Sequence, residues 1–214
     1  MASKKNGQDF TGKLGDSVMY YLNNKLVKRK IGYPTGIPQL RQLASREPMK
    51  LINNFITPLR EFIDVGYALR AKRKQLNTHN AMVKTCLPAI IKGDYPDQEI
   101  DYSNAILAKG KMPLPLQLSA AFSSGKLVFT WDTQLINELT KVDDHAMLVA
   151  YCPAKDLAYY VIHGPQRSEG RAELVLAIAD EPVIWETYIA FIADNHKKIS
   201  NSAYLGQVVV QKEI

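Results

Sequence analysis

The feature that most constrains this chain is a change in the spacing of its apolar residues. Between Met49 and Ile63 apolar side chains recur every three or four residues, whereas from Leu116 onward they alternate with polar ones. A spacing of three to four residues is typical of a helix with one buried face, and alternation is typical of a strand. The chain therefore predicts a helical first part and a β-rich second part.

Seven short β-favouring runs follow one another in the second part, with turns such as Ser123-Ser124-Gly125 between them. The runs are Leu116–Phe122, Leu127–Asp132, Ala146–Cys152, Leu157–His163, Arg171–Ile178, Ile184–Ala193 and Ala203–Gln211. Seven strands in about 100 residues predict a β-sandwich of the immunoglobulin or fibronectin type III kind. Trp131 and the run that begins at Tyr188 resemble the aromatic anchors of fibronectin type III domains.

The first part opens with a predicted β-hairpin. Its strands are Ser17–Leu22 and Lys25–Ile31, and the Asn23-Asn24 pair between them suits a two-residue turn with positive φ. Apolar residues fall on both faces of this ribbon. Because a two-stranded ribbon is only marginally stable alone, we expect the hairpin to pack on another surface.

Helices are predicted between the hairpin and Gly93. A short helix lies near Gln39–Ser45, a longer one begins at Pro48 and is interrupted at Pro58, and a third begins at an N-cap at Thr78. The predicted fold class is therefore α+β. A basic hairpin-plus-helical region over residues 1–112 precedes a seven-stranded immunoglobulin- or fibronectin-III-like sandwich over residues 113–214.

Charge is divided unevenly along the chain. Residues 1–92 contain 17 Lys and Arg against five Asp and Glu, whereas residues 93–214 contain ten against 16. Such asymmetry favours either an anionic partner for the first part or head-to-tail attraction between copies. The candidate contacts form two clusters, Tyr20, Tyr21, Lys25, Lys28, Arg29 and Lys30 on the hairpin, and Arg70, Lys72, Arg73 and Lys74 between helical segments.

The sequence carries no catalytic, cofactor or metal-binding signature. The histidines, His79, His145, His163 and His196, are scattered and lack a metal-ligand spacing, and two cysteines are too few for a disulfide framework. No small-molecule substrate is identified either. A non-enzymatic protein without cofactor or metal is therefore expected.

The sequence also indicates whether the chain is expected to span a membrane or to be exported. No apolar run reaches the roughly 18 to 20 residues that a membrane span requires, so no span is expected. The N-terminal residues are polar and lack the apolar segment of a secretory signal. A cytoplasmic location, or release by a non-standard route, is therefore expected.

Several short motifs spread over nearly the whole chain resemble a known family. They include Gly12-Lys13-Leu14-Gly15, Gly93-Asp94-Tyr95-Pro96-Asp97, Ile100-Asp101-Tyr102-Ser103 and Tyr204-Leu205-Gly206. The chain resembles an uncharacterised family, a domain of unknown function common in Bacteroidetes bacteria. The resemblance implies a hairpin-plus-helix first part and a β-sandwich second part, and it implies no activity or ligand.

Three functions are compatible with these features. The first is a self-associating structural protein, a subunit of an extracellular filament or virus-like particle, in which the basic part of one copy contacts the acidic part of the next. The second is a sequence-nonspecific nucleic-acid-binding protein that uses the basic clusters. The third is a carbohydrate- or peptide-binding module that uses the sandwich loops, with Tyr151, Tyr159, Tyr160 and Trp185 as a candidate aromatic platform.

Overall fold

A computed structural model describes residues 11–22, 24–33, 36–135, 137–177 and 181–211. The chain forms two compact units, a small unit within residues 1–39 and a large unit within residues 40–214. Helices and antiparallel sheets are both present, which confirms the α+β class. The domain boundary predicted between residues 112 and 113 separates two segments that are expected to fold independently. This boundary stays a prediction.

The small unit contains one three-stranded antiparallel sheet, which we call the small sheet. Its strands are β1 (Gly12–Leu14), β2 (Ser17–Leu22) and β3 (Lys25–Lys30), in that order. The predicted hairpin is confirmed, with Tyr20 opposite Val27. Asn24 has the positive φ that the turn requires, 60°, while Asn23 lies outside the described residues. Strand β1 was not predicted.

The large unit begins with four helices. They are α1 (Leu40–Ile56), α2 (Arg60–Gly66), α3 (Ala68–Lys74) and α4 (Thr78–Ile90). A 3-10 turn at Thr57–Leu59 separates α1 from α2, so the interruption predicted at Pro58 is confirmed. In the part of the chain that the structure describes, no helix is long and apolar enough to cross a membrane.

Two predicted helix boundaries are wrong. Helix α1 continues through Pro48, where a new helix was expected to begin. Proline removes one helical hydrogen bond, but α1 has no buried residue before Ile52, so water can bond the carbonyl that Pro48 leaves without a partner. The N-cap of α4 is Asn77 rather than Thr78, since the Asn77 side chain accepts a 2.7 Å hydrogen bond from the Asn80 amide.

The remaining strands follow the helices. They are β4 (Ile91–Lys92), β5 (Glu99–Ile100), β6 (Ser119–Ser123), β7 (Lys126–Thr130), β8 (His145–Cys152), β9 (Leu157–Val161), β10 (Arg171–Val175), β11 (Val183–Ile192) and β12 (Ala203–Val210). Each of the seven predicted runs overlaps one of β6 to β12, although Ile178, the predicted end of one run, lies outside the described residues.

The strands of the second part form two antiparallel sheets of the large unit. The order β10-β7-β6 makes a three-stranded outer sheet, and the order β12-β11-β8-β9 makes a four-stranded central sheet. Strands β4 and β5 form a separate two-stranded antiparallel sheet. Thus the central sheet has two strands, β8 and β11, with a neighbour on each side.

The central sheet separates two hydrophobic cores. Met147, Val149 and Tyr151 of β8 pack with buried residues of the helices, such as Phe55 and Phe62. The alternate residues of β8 pack with the outer sheet; these are Ala146, Leu148, Ala150 and Cys152. Because side chains alternate between the faces of a strand, β8 contributes to both cores. The large unit therefore has three layers, helices, central sheet and outer sheet.

Candidate functional site

A cavity of about 530 Å³ in the large unit is lined by positive charge. Its volume lies within the range of ligand-binding pockets. The described residues that line it include no Asp or Glu, and we call it the cationic cavity. Its basic residues are Arg70, Arg73, Lys109, Lys111, Lys197 and Lys198.

Four segments that are distant in sequence build the cationic cavity: helix α3, residues 109–112, Leu139 and the turn between β11 and β12. The amide of Lys109 donates to the Gly66 carbonyl at 3.0 Å, and the amide of Met112 donates to the Ile199 carbonyl at 3.0 Å. At Gly110 an added Cβ would overlap the Ile199 carbonyl oxygen, so only glycine permits this close approach. These contacts fix the lysines on both sides of Gly110.

The side chains that line the cationic cavity carry a net positive charge. Within the described part of the chain, none of its six basic side chains forms an ion pair with a carboxylate. Between them lie apolar side chains, including Leu69, Met112 and Ile199. Cationic side chains that surround apolar ones can bind an anion that also carries an apolar or planar group.

The sequence predicted part of the cationic cavity. Of the four basic residues predicted between helical segments, Arg70 and Arg73 line it, whereas Lys72 and Lys74 do not. The cavity lysines at 109, 111, 197 and 198 were not predicted, because they lie in the stretch whose net charge is negative. The sequence did contain one signal for these lysines, since they occur as two close pairs, Lys109 with Lys111 and Lys197 with Lys198.

The other predicted cluster lies on the small sheet and is divided between its two faces. The register places Tyr20, Lys25 and Arg29 on one face, and Tyr21, Lys28 and Lys30 on the other. Apolar side chains also occur on both faces, for example Val18 and Met19. No described residue of the small unit is buried.

The candidate aromatic platform of the sandwich is partly inaccessible. Tyr151 and Trp185 are each only 2% exposed and belong to different cores. Tyr159 and Tyr160 are half-buried on β9. The four side chains therefore do not form one exposed surface for a carbohydrate.

Comparison with known proteins identifies a family but no relative of known function. No curated protein and no solved structure matches the chain. Residues 29–206 match DUF6266, a family of unknown function. The match includes all four helices and strands β4 to β11, and it begins within β3.

Proposed function

Because the chain belongs to DUF6266, whose function is unknown, we propose a function from its residues: it is a non-enzymatic structural protein that assembles with copies of itself. The observation that carries this proposal is the small sheet. It has apolar side chains on both faces, yet no described residue of the small unit is buried. Apolar side chains on both faces of a small sheet are left in water unless another surface covers them, and a second copy of the chain supplies one.

Charge supports contact between unlike surfaces of two copies. The small unit contains seven Lys and Arg against two Asp and Glu, whereas residues 93–214 carry the excess of acidic residues. Opposite charges steer such surfaces together. A contact between unlike surfaces leaves a further docking surface on each added copy, so it builds filaments or closed particles.

The first test compares the full chain with residues 40–214 by size-exclusion chromatography with light scattering. The full chain should have a mass well above 24.0 kDa, and the shortened chain should elute as a folded monomer. Circular dichroism checks that the shortened chain is folded. A monomeric full chain, or a shortened chain that assembles equally well, would show the proposal to be wrong.

A mixing experiment distinguishes head-to-tail contact from contact between two small units. In the head-to-tail arrangement, residues 40–214 still accept a small sheet but cannot offer one. Added in excess, this shortened chain should occupy the growing ends and reduce the mass of assemblies of the full chain. Assemblies held by two small sheets should keep their mass.

The strand order supports a sandwich of immunoglobulin or fibronectin type III kind. Numbered from β6 as the first strand, the outer sheet has the order five-two-one and the central sheet seven-six-three-four. Constant-type immunoglobulin domains pair strands one, two, five and four in one sheet and three, six and seven in the other. The two arrangements differ only in the fourth strand, β9, which lies in the central sheet here and beside strand five in constant-type immunoglobulin domains. Such sandwiches occur in many cell-surface proteins, which agrees with an extracellular filament; a Bacteroidetes origin stays a prediction.

The second candidate function is sequence-nonspecific binding of nucleic acid, and the cationic cavity favours it. Its six basic side chains lack carboxylate partners within the described residues, so phosphate groups would neutralise them. Binding of phosphates releases counterions from the nucleic acid, which makes affinity fall as salt rises. Binding to a peptide or carbohydrate through the sandwich loops also stays a prediction.

Fluorescence anisotropy with a labelled single-stranded oligonucleotide tests this second function at about 50 and 200 mM salt. The double variant Arg70→Glu, Arg73→Glu should weaken binding and reduce the salt slope by about 1.4, because each lost phosphate contact on a single strand contributes about 0.7. The matched control is Lys72→Glu, Lys74→Glu, which changes the same charge on the same helix outside the cavity. Equal effects of both variants, or affinity independent of salt, would contradict the proposal.

A further inference from the structure

Three of the four histidines meet at one end of the central sheet, beside a carboxylate. His145 begins β8, His163 follows β9, and Asp194 and His196 lie in the turn between β11 and β12. The rings of His145 and His163 stack with centroids 4.2 Å apart, and those of His163 and His196 with centroids 5.2 Å apart. We call these four residues the histidine cluster.

His145 is held in an orientation that suits a metal ligand. Its Nδ1 lies 2.9 Å from the Gly164 carbonyl oxygen. A carbonyl only accepts hydrogen bonds, so Nδ1 is the donor, and Nε2 is the ring nitrogen at which a metal would bind. Metal-ligating histidines use the same kind of bond to fix the tautomer and the ring. The Nε2 atom lies 3.6 Å from Oδ1 of Asp194.

The backbone around the histidine cluster is tied together by hydrogen bonds. The Gly164 amide donates to the Ala146 carbonyl at 2.9 Å, which joins the segment after His163 to β8. A buried ion pair between Arg167 and Asp144, with Nε and Oδ2 3.3 Å apart, joins the same segments once more. Rigid support of this kind holds ligands in place for a metal.

We propose that His145, His163 and Asp194 bind one divalent ion of a first-row transition metal, of which zinc is the probe. One ligand atom from each residue lies within 4.8 Å of the other two. Ligand bonds of about 2.0 to 2.2 Å require these atoms to approach further. Because an imidazole lone pair lies in the plane of its ring, the stacked His163 ring must also rotate away from His145 to face the same ion. His163 and Asp194 are both exposed, so their side chains are free to rotate into such a position. Two imidazoles and one carboxylate form a ligand set used for zinc and for iron, with a position left open.

The ring of His196 stacks on the ring of His163, so His196 is the third histidine close to the proposed metal site. Its φ of 55° places it in the left-handed region, and its amide donates to the Ala193 carbonyl at 2.8 Å. This tight turn directs Asp194 and His196 to the same end of the sheet. The open position of the metal can therefore take His196, water or an external ligand.

Isothermal titration of the untagged full chain with zinc chloride tests the site. One ion per chain should bind to the wild type. His163→Ala and Asp194→Asn should each weaken binding by at least about tenfold, since each removes one of three ligands. His79→Ala is the matched control, because His79 lies in α4 outside the cluster and should leave zinc binding unchanged.

Two results would overturn the proposal. One is the absence of saturable zinc binding by the folded wild type, and the other is wild-type affinity in both cluster variants. Asp194 is 68% exposed, so Asp194→Asn removes a ligand without opening a cavity, and its loss of zinc binding cannot be attributed to unfolding. A thermal scan provides an independent readout, because zinc should raise the melting temperature of the wild type and of His79→Ala alone among these proteins.

Discussion

Gly110 shows how a single residue can determine the shape of the cationic cavity. An added Cβ would overlap the Ile199 carbonyl oxygen, which is backbone and cannot rotate away. We expect Gly110→Ala to lower the free energy of unfolding by about 3 kcal/mol, as measured by urea denaturation. Gly32→Ala is the control, since an added Cβ at Gly32 meets nothing within 4 Å and should change stability little. Equal stability of the two variants would contradict the close approach at Gly110.

Asp101 predicts a pH dependence of stability. Hydrogen bonds from Lys92, Ser103 and Asn104 lower the pKa of its carboxyl to about 2, the contact with Lys92 contributing most. Since the unfolded-state value is about 3.9, the stabilisation is complete above that pH and is lost as pH falls towards 2. The wild type should therefore lose more stability than Asp101→Asn when urea denaturation is compared between about pH 5 and pH 2.

The matched control for this pH dependence is Asp97→Asn, which removes the same charge from an exposed position in the turn between β4 and β5. It should lose stability with falling pH as the wild type does. If Asp101→Asn also follows the wild type, the Lys92 contact does not stabilise the folded chain.

The histidine cluster shows why residue contacts were harder to predict than local structure. His145, His163 and His196 belong to three separate segments, and their spacing in the sequence matches no metal-binding motif. The antiparallel order of β9, β8 and β11 brings the three segments to one end of the sheet. Because strand order depends on contacts across the whole unit, no local pattern could have predicted the cluster.

At the scale of secondary structure, the β-rich part was predicted far better than the helical part. Alternation of apolar and polar residues is a local property, and each predicted run from Leu116 onward overlaps a strand. Helix α3 was not predicted as a helix, because its sequence Ala68–Lys74 is mostly basic and buries only Ala71. The pattern of apolar residues cannot reveal a helix that contributes one small side chain to a core.

The N-cap of α4 provides a test of helix initiation. Asn77→Ala should lower the free energy of unfolding by about 1 kcal/mol, because the Asn80 amide loses its side-chain acceptor. Asn77→Asp keeps an acceptor oxygen and should retain most of the stability. Urea denaturation measures both variants, and an unchanged Asn77→Ala variant would show that this cap contributes nothing.

At the scale of the whole molecule, the helices and the two sheets share cores. Phe55 of α1 packs in the same cluster as Tyr151 of β8, with ring centroids 4.9 Å apart. We therefore expect residues 40–214 to unfold in a single calorimetric transition. Phe55→Ala should lower the midpoint of that transition, with a loss of about 3 to 5 kcal/mol. Two separate transitions would instead support independent folding on either side of residue 112.

Strand β8 contributes alternate side chains to the two cores, and this arrangement fixes the number of residues in the strand. Inserting one residue in its middle would turn every following side chain to the opposite side, so Tyr151 would point towards the outer sheet and Cys152 towards the helices. The pairings with β9 and β11 would shift together. Residues can therefore be added or removed during evolution in turns such as 153–156, whereas within β8 only the replacement of one residue by another keeps both cores intact.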